Sequence, residues 1–154
     1  AHYGSPEDVV AVCLLKGGVP LAIALLADLK ARYDWDLPIE YMRASSAPKG
    51  ASERTAPQLT EFQYIPSGKH LLVLDDIVDT RRTLQQVYWL LTNRGALSVV
   101  GVGLLNKFEC QEVDFPGVLF WALSVPGKPW VYGFGIDQDG SAGRNDSSIK
   151  EQQE

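Results

Sequence analysis

The sequence predicts an α/β fold, with one central, mainly parallel sheet flanked by helices. Three observations carry this. Residues 9–15 (VVAVCLL) and 71–74 (LLVL) are uninterrupted apolar runs, too short for comfortable helices and without the alternation of a one-faced strand, as expected of strands covered on both faces. Each run is followed by a turn and a helical pattern, so the chain reads as strand–turn–helix units. Polar residues gather after the runs, at the carboxyl edge where open α/β sheets bind ligands.

Length and charge narrow the class. The 154 residues, 45% of them hydrophobic, suit a single globular domain spanning 1–154. Because the chain starts at Ala1 and enters a strand almost at once, an N-terminal segment is expected to be missing from it. A net charge of −5 supplies no basic field, so neither nucleic acid nor a membrane surface is an expected partner, although a small anion can still be held locally. No apolar run approaches the roughly 20 residues that span a bilayer and no signal pattern opens the chain, so a cytoplasmic protein is expected. Cys13 and Cys110 are expected as free thiols.

In chain order, the run at 9–15 ends in Lys16, Gly17 and Gly18, and Pro20 then suits the first turn of a helix reaching about Tyr33. Glycines permit close backbone approach, and Lys16 could meet a phosphate there. Taken alone, an ordinary βα turn with a solvated lysine explains the unit better. Residues 38–44 read as a strand, 45–57 as a flexible loop that either serves as a lid or has no role, and 59–65 as a returning strand. After the second unit, Leu84, Val87, Tyr88 and Leu91 recur at helical spacing and Gly95 suits the helix end. Strands are expected at 97–105, leading to Asn106 and Lys107, at 118–123, and at 130–136, ending at Asp137. Residues 138–154 are polar and are expected to be partly disordered.

The densest chemistry lies in residues 71–83, LLVLDDIVDTRRT. Asp75, Asp76 and Asp79 follow an apolar strand, and Thr80 to Thr83 bring backbone N–H groups and hydroxyls to a helix N-terminus, which favours a phosphate. Carboxylates beside a phosphate cradle suggest a sugar phosphate. A nucleoside triphosphatase would need Gly-x-x-x-x-Gly-Lys-Ser/Thr, which the first turn lacks. A phosphoacceptor domain would place its acidic pair on the first strand, and a dinucleotide site would need Gly-x-Gly-x-x-Gly after it. Capping uses one carboxylate, whereas three within five residues repel one another, so a cation or polyol ligand accounts for them better.

This stretch closely resembles the phosphoribosyl pyrophosphate signature of type I phosphoribosyltransferases, in the variant of the hypoxanthine-guanine enzymes. Leu15 to Gly18 resemble that family's pyrophosphate loop, Arg43 to Ser46 the start of its mobile lid, Leu104 to Lys107 its base-recognition strand, and Trp130 to Asp137 its purine-clamping segment, with Arg144 beyond. The resemblance spans residues 9–146 and implies the type I phosphoribosyltransferase fold, with a lid and a reduced hood. It implies transfer of ribose 5-phosphate from phosphoribosyl pyrophosphate to a 6-oxopurine through a transition state of oxocarbenium character. By the same resemblance, Asp75 and Asp76 hold the ribose hydroxyls, partly through Mg2+, while Thr80, Arg81, Arg82 and Thr83 cradle the 5-phosphate. Asp79 accepts the purine proton, and Lys16 and Gly17 bind pyrophosphate, with a nonproline cis peptide at Leu15-Lys16. Lys107 donates to the 6-oxo group, Trp130 stacks on the base and the Val131 backbone meets its far edge. Asp137 helps a second Mg2+ and Arg144 neutralises pyrophosphate; Ser45 and Ser46 belong to the lid. A homodimer or homotetramer is implied too. Without the resemblance, Trp130 reads as a half-buried strand aromatic and Lys107 as a surface charge.

Three departures stand against the pattern. Arg81 occupies a place usually held by glycine or sometimes alanine, Ser46 is followed by Ala47, Pro48 and Lys49 where a Ser-Tyr pair is usual, and the family's N-terminal helix and strand are expected to be missing ahead of Val9. Two readings follow: a purine salvage enzyme, and a degenerate domain that binds nucleotide or a protein partner without turnover.

Overall fold

The computed structural model describes residues 6–45, 58–60, 62–127, 129–138 and 142–152. In order these form β1 (Val9–Leu15), α1 (Val19–Tyr33), β2 (Ile39–Ser45), β3 (Gln58–Thr60), β4 (His70–Val78), α2 (Arg82–Asn93), β5 (Ser98–Asn106), β6 (Val118–Ser124), β7 (Val131–Tyr132) and β8 (Lys150–Glu151), with short 3-10 turns at Pro6–Asp8 and Phe108–Cys110. The main sheet has the order β3-β2-β1-β4-β5-β6; β3 pairs antiparallel and the other neighbours parallel. This is the mainly parallel α/β sheet expected. β7 and β8 form a separate antiparallel pair.

The apolar runs became β1 and β4 because both lie inside the sheet and bury side chains on both faces. Val10, Val12, Leu14, Leu71 and Val73 share one core with Leu84, Val87 and Leu91 of α2. Those three positions make the stripe of an amphipathic helix, each buried leucine contributing about 2 kcal/mol. The alternate residues Ala11, Cys13 and Leu74 face α1, packing with Ala22. α1 begins with Pro20 in its first turn and stops at Asp34 (φ 55°), whose N–H and that of Trp35 return to Lys30 O and Leu29 O. No helix among the described residues is long and apolar enough to cross a membrane.

Three boundaries differ from the sequence expectation. β4 runs on to Val78, so Asp75 and Asp76 belong to the strand itself. Val78 joins the same core as Leu71 and Val73 while Ile77 packs in a third cluster, so the in-out alternation slips once beside the acidic pair. The returning strand at 59–65 shrinks to β3. Beyond it Phe62 turns its ring into the α2-side core, and its carbonyl accepts from Arg94 Nη1. The strand at 130–136 shrinks to β7, because Gly133, Phe134 and Gly135 all have positive φ (100°, 47° and 96°) and close a turn between Gly133 and Ile136. Gly-Phe-Gly was the turn signal there. In the C-terminal stretch, Lys150–Glu151 pairs with Val131–Tyr132 and Ile149 packs beside Val131.

Candidate active site

β1–α1–β2 builds the sheet to one side and β4–α2–β5 to the other, so the carboxyl ends of β1 and β4 flank a topological switch point. A cavity of about 440 Å³ occupies it. Lys16 and Gly17 line it after β1, Asp75 and Asp76 from β4, Asp79 and Thr80 from the loop into α2, Thr83 from the first turn of α2, and Asp137 and Arg144 from the segment after β7.

Each wall has a local cause. The Leu15–Lys16 peptide is cis. Gly17 is glycine because the Asp76 carboxylate occupies the space a Cβ would take, and a Cβ on Gly18 would lie 2.7 Å from Leu74 O and 2.8 Å from Leu14 O. The second wall turns at Arg81, in the left-handed region (φ 64°, ψ 0°), and α2 starts without a side-chain cap. Thr80 Oγ1 accepts from Arg82 N at 3.4 Å. An uncapped first turn of this kind presents N–H groups to an anion. The third wall is docked by Gly135: a Cβ there would stand 2.5 Å from Gly17 O and 2.7 Å from Pro20. Phe134 N and Gly135 N donate to Asp146 O and Arg144 O, which brings Arg144 beside Asp137.

The floor is strongly acidic. Asp75 Oδ1 accepts from Asp76 N and Asp76 Oδ1 from Ile77 N, both at 3.0 Å. Burial pushes the Asp75 carboxyl well above the usual carboxylate range, and the adjacent Asp76 charge adds to the rise. The Cys13 thiol beneath is pushed up to about 11 by burial and then by the same two aspartates, which makes it a poor nucleophile. Opposite, Arg144 Nη2 donates to Asp137 Oδ1 at 2.6 Å. Among the described residues no three or more His, Cys, Asp or Glu converge as a metal cage. Two adjacent carboxylates with uncompensated charge, open to a ligand cavity, nevertheless suit a hard cation that takes one or two carboxylates and completes its shell with substrate oxygens, as Mg2+ does.

The remaining predicted residues lie elsewhere. Arg81 and Arg82 do not line the cavity. Arg82 Nε donates to Glu112 Oε2 at 2.6 Å, which directs its guanidinium to a neighbouring loop, and Arg81 Nε is buried without a hydrogen-bond partner. Lys107 is buried at the end of β5, with its N–H on Val78 O at 2.9 Å. Val131 is buried with Leu105 and Ile136. Trp130 keeps 43% of its surface exposed while Nε1 donates to Gln138 O at 2.7 Å. Ser45 ends β2; Ser46 and the rest of the expected lid, 46–57, lie outside the described residues. Sequence reasoning did not single out Gly135 or Glu112. Gly135 carried a visible signal, a glycine flanking an aromatic, whereas Glu112 carried none.

The phosphoribosyl transferase domain profile matches residues 2–130. The hypoxanthine-guanine phosphoribosyltransferase of Aquifex aeolicus is 34% identical over 146 residues, covering 94% of this chain and 78% of that protein. The Escherichia coli K12 hypoxanthine phosphoribosyltransferase is 34% identical over 137 residues, covering 88% and 74%. Among solved structures, a Staphylococcus aureus hypoxanthine phosphoribosyltransferase superposes with a TM-score of 0.79 at 29% identity, covering 96% of this chain and 77% of that one. The Trypanosoma cruzi enzyme gives a TM-score of 0.82 at 26% identity, covering 96% and 74%. The chain therefore belongs to the phosphoribosyltransferase family and has its type I fold. Within that family it is a purine phosphoribosyltransferase, a pentosyltransferase similar to the hypoxanthine and hypoxanthine-guanine enzymes.

Proposed function

We propose that this chain transfers ribose 5-phosphate from phosphoribosyl pyrophosphate to hypoxanthine or guanine, with xanthine a third candidate base, giving the nucleoside monophosphate and pyrophosphate. The observation that carries the reading is the single cavity that gathers Lys16, Gly17, Asp75, Asp76, Asp79, Thr80, Thr83, Asp137 and Arg144 at the switch point. In this reading the C1–oxygen bond to pyrophosphate breaks as a purine nitrogen bonds to C1. Asp75 and Asp76 hold the ribose hydroxyls, and their charge favours the developing cation. Thr80, Thr83 and the first turn of α2 hold the 5-phosphate. Asp79, at the exposed rim, takes the proton the purine loses. Lys107 donates to the 6-oxo group, Trp130 supplies a stacking face, and Arg144 meets the departing pyrophosphate near Lys16. Asp75 and Asp76, and at a second position Asp137, would hold Mg2+, which when bound would supply charge neutralisation for the pyrophosphate. Assembly as a dimer or tetramer in the cytoplasm belongs to the same reading; sedimentation velocity tests the assembly.

One observation favours the degenerate reading, in which nucleotide binds without turnover: a non-glycine residue at φ 64° in the phosphate loop. Incubation with Mg2+, phosphoribosyl pyrophosphate and each of the three bases separates the two. Product with any base supports the transferase; nucleotide binding without product with any base sinks it. Asp79→Asn is expected to cut kcat about 100-fold or more and to leave nucleotide affinity within a few-fold. Equal losses in both would remove Asp79 from the general-base role.

A further inference from the structure

The segment that follows Lys107 is tied to the phosphate loop at several points. Glu112 N and Val113 N both donate to Thr80 O, at 3.2 and 3.4 Å. Glu112 Oε2 accepts from Arg82 Nε at 2.6 Å, and Asp114 O accepts from Gln85 Nε2 at 2.9 Å. Asp114 Oδ1 in turn holds Gln111 Nε2 at 2.8 Å. At its other end the segment is fixed to the base side of the site: Lys107 N donates to Val78 O, and Cys110 N to Lys107 O, both at 2.9 Å.

The loop needs such a tie. α2 has no side-chain cap, and Arg81 holds a left-handed backbone conformation that a residue with a Cβ adopts only under strain, so little within residues 79–83 keeps Thr80 where a phosphate requires it. Arg82, turned toward Glu112, does not line the cavity and so meets no phosphate there with its guanidinium.

We propose that Glu112 is a positioning residue. Through Arg82 and the Thr80 carbonyl it holds the 5-phosphate loop against the segment that carries Lys107, so that one clamp sets both the sugar-phosphate cradle and the base-recognition lysine. The proposal rests on the purine phosphoribosyltransferase reading and assigns Arg82 a role through Glu112 in place of direct phosphate contact. The Glu112 and Arg82 side chains are 26% and 42% exposed, so the effects are a few-fold, as for partly screened pairs.

Steady-state kinetics in both substrates test it. Glu112→Ala and Arg82→Ala are each expected to raise KM for phosphoribosyl pyrophosphate about fivefold, with kcat within about twofold, and the double variant is expected to be no worse than either single one. Glu112→Gln, which keeps the volume and guards against misfolding, is expected to give a smaller rise. The charge-exchanged variant Glu112→Arg with Arg82→Glu is expected to recover most of the lost affinity, a rescue that a purely structural role for either residue does not give. Additive effects, an unchanged KM in both Glu112 variants, or a fall in kcat confined to Arg82→Ala would overturn the clamp. If the native chain turns over no base, inosine or guanosine monophosphate titrated by calorimetry gives the same comparison. A fivefold weaker Kd in Glu112→Ala then sustains the clamp while the transferase reading fails. An unchanged Kd, or no binding by the native chain, overturns the clamp.

Discussion

The loops after β1 and β4 occupy equivalent places in the topology, yet they are built in opposite ways. Both leave the carboxyl end of an inner strand, turn over the same cavity and enter a helix. The β1 loop works by removing side chains. Gly17 leaves room for the Asp76 carboxylate, and Gly18 lets two carbonyls approach. The β4 loop keeps its side chains, places Arg81 in the left-handed region, and is fixed from outside by the segment containing Glu112. The first loop is set by close packing with its own sheet and the second by polar ties to a distant part of the chain. Packing in the first kind leaves no slack, so substitution there costs most.

Gly17→Ala is the hardest test of that contrast. Its Cβ would overlap Asp76, so either the carboxylate or the loop must shift, and a displacement near 1 Å is expected to lower kcat/KM about 100-fold. Stability is expected to fall by about 1–3 kcal/mol, as for other overpacked sites, which chemical denaturation measures. Activity within a few-fold of the native chain would mean that Asp76 does not need its observed place, and the contrast between the loops would collapse.

Asp75 sharpens the comparison from beneath both loops. Its carboxyl is held well above the usual carboxylate range, chiefly by burial, so the folded chain keeps a proton that the unfolded chain has already released. Between the ordinary carboxylate value and the raised one, the folded state binds more protons, and stability therefore falls as pH rises through that window. Asp75→Asn is expected to flatten this dependence and to raise stability near neutral pH by about 1 kcal/mol, and in the proposed reading to weaken ribose binding. Urea denaturation across that range checks it; an undiminished slope in the variant would place the proton on another group.

How much of this was legible in the sequence follows the same division. The inner strands, the two turns and the acidic pair were readable because local properties fix them: apolar runs need covering on both faces, glycines need a reason, and adjacent carboxylates need a counter-charge. The cavity residues Lys16, Asp75, Asp79 and Thr80 sit close to those signals. Arg82 was not legible, because its partner Glu112 lies 30 residues further on and nothing local announces the pairing. The strand expected at 130–136 failed where Gly133 and Gly135 take positive φ, which a period-two reading passes over. Arg81 is the intermediate case. The sequence marked it as a departure from glycine, and the structure supplies the reason, a backbone at φ 64° with a buried, unpartnered Nε.

Arg81→Gly is the mildest change and the one that decides what the β4 loop is for. Removing a Cβ from the left-handed region and a buried unpaired donor stabilises the fold, while the added freedom of glycine in the unfolded chain and the lost packing of the arginine stem oppose it. The expected balance is a gain of about 1 kcal/mol, seen as a rise in Tm of about 2–4 °C for a chain of this size. If the loop is held in place by Glu112 and not by Arg81, KM for phosphoribosyl pyrophosphate is expected to stay level or fall. A clear loss of phosphoribosyl pyrophosphate affinity in a stabilised variant would instead show that the Arg81 charge serves the phosphate from outside the cavity lining. The strained arginine would then be an adaptation of this loop, and side chains, not tethers, would set the second half of the site.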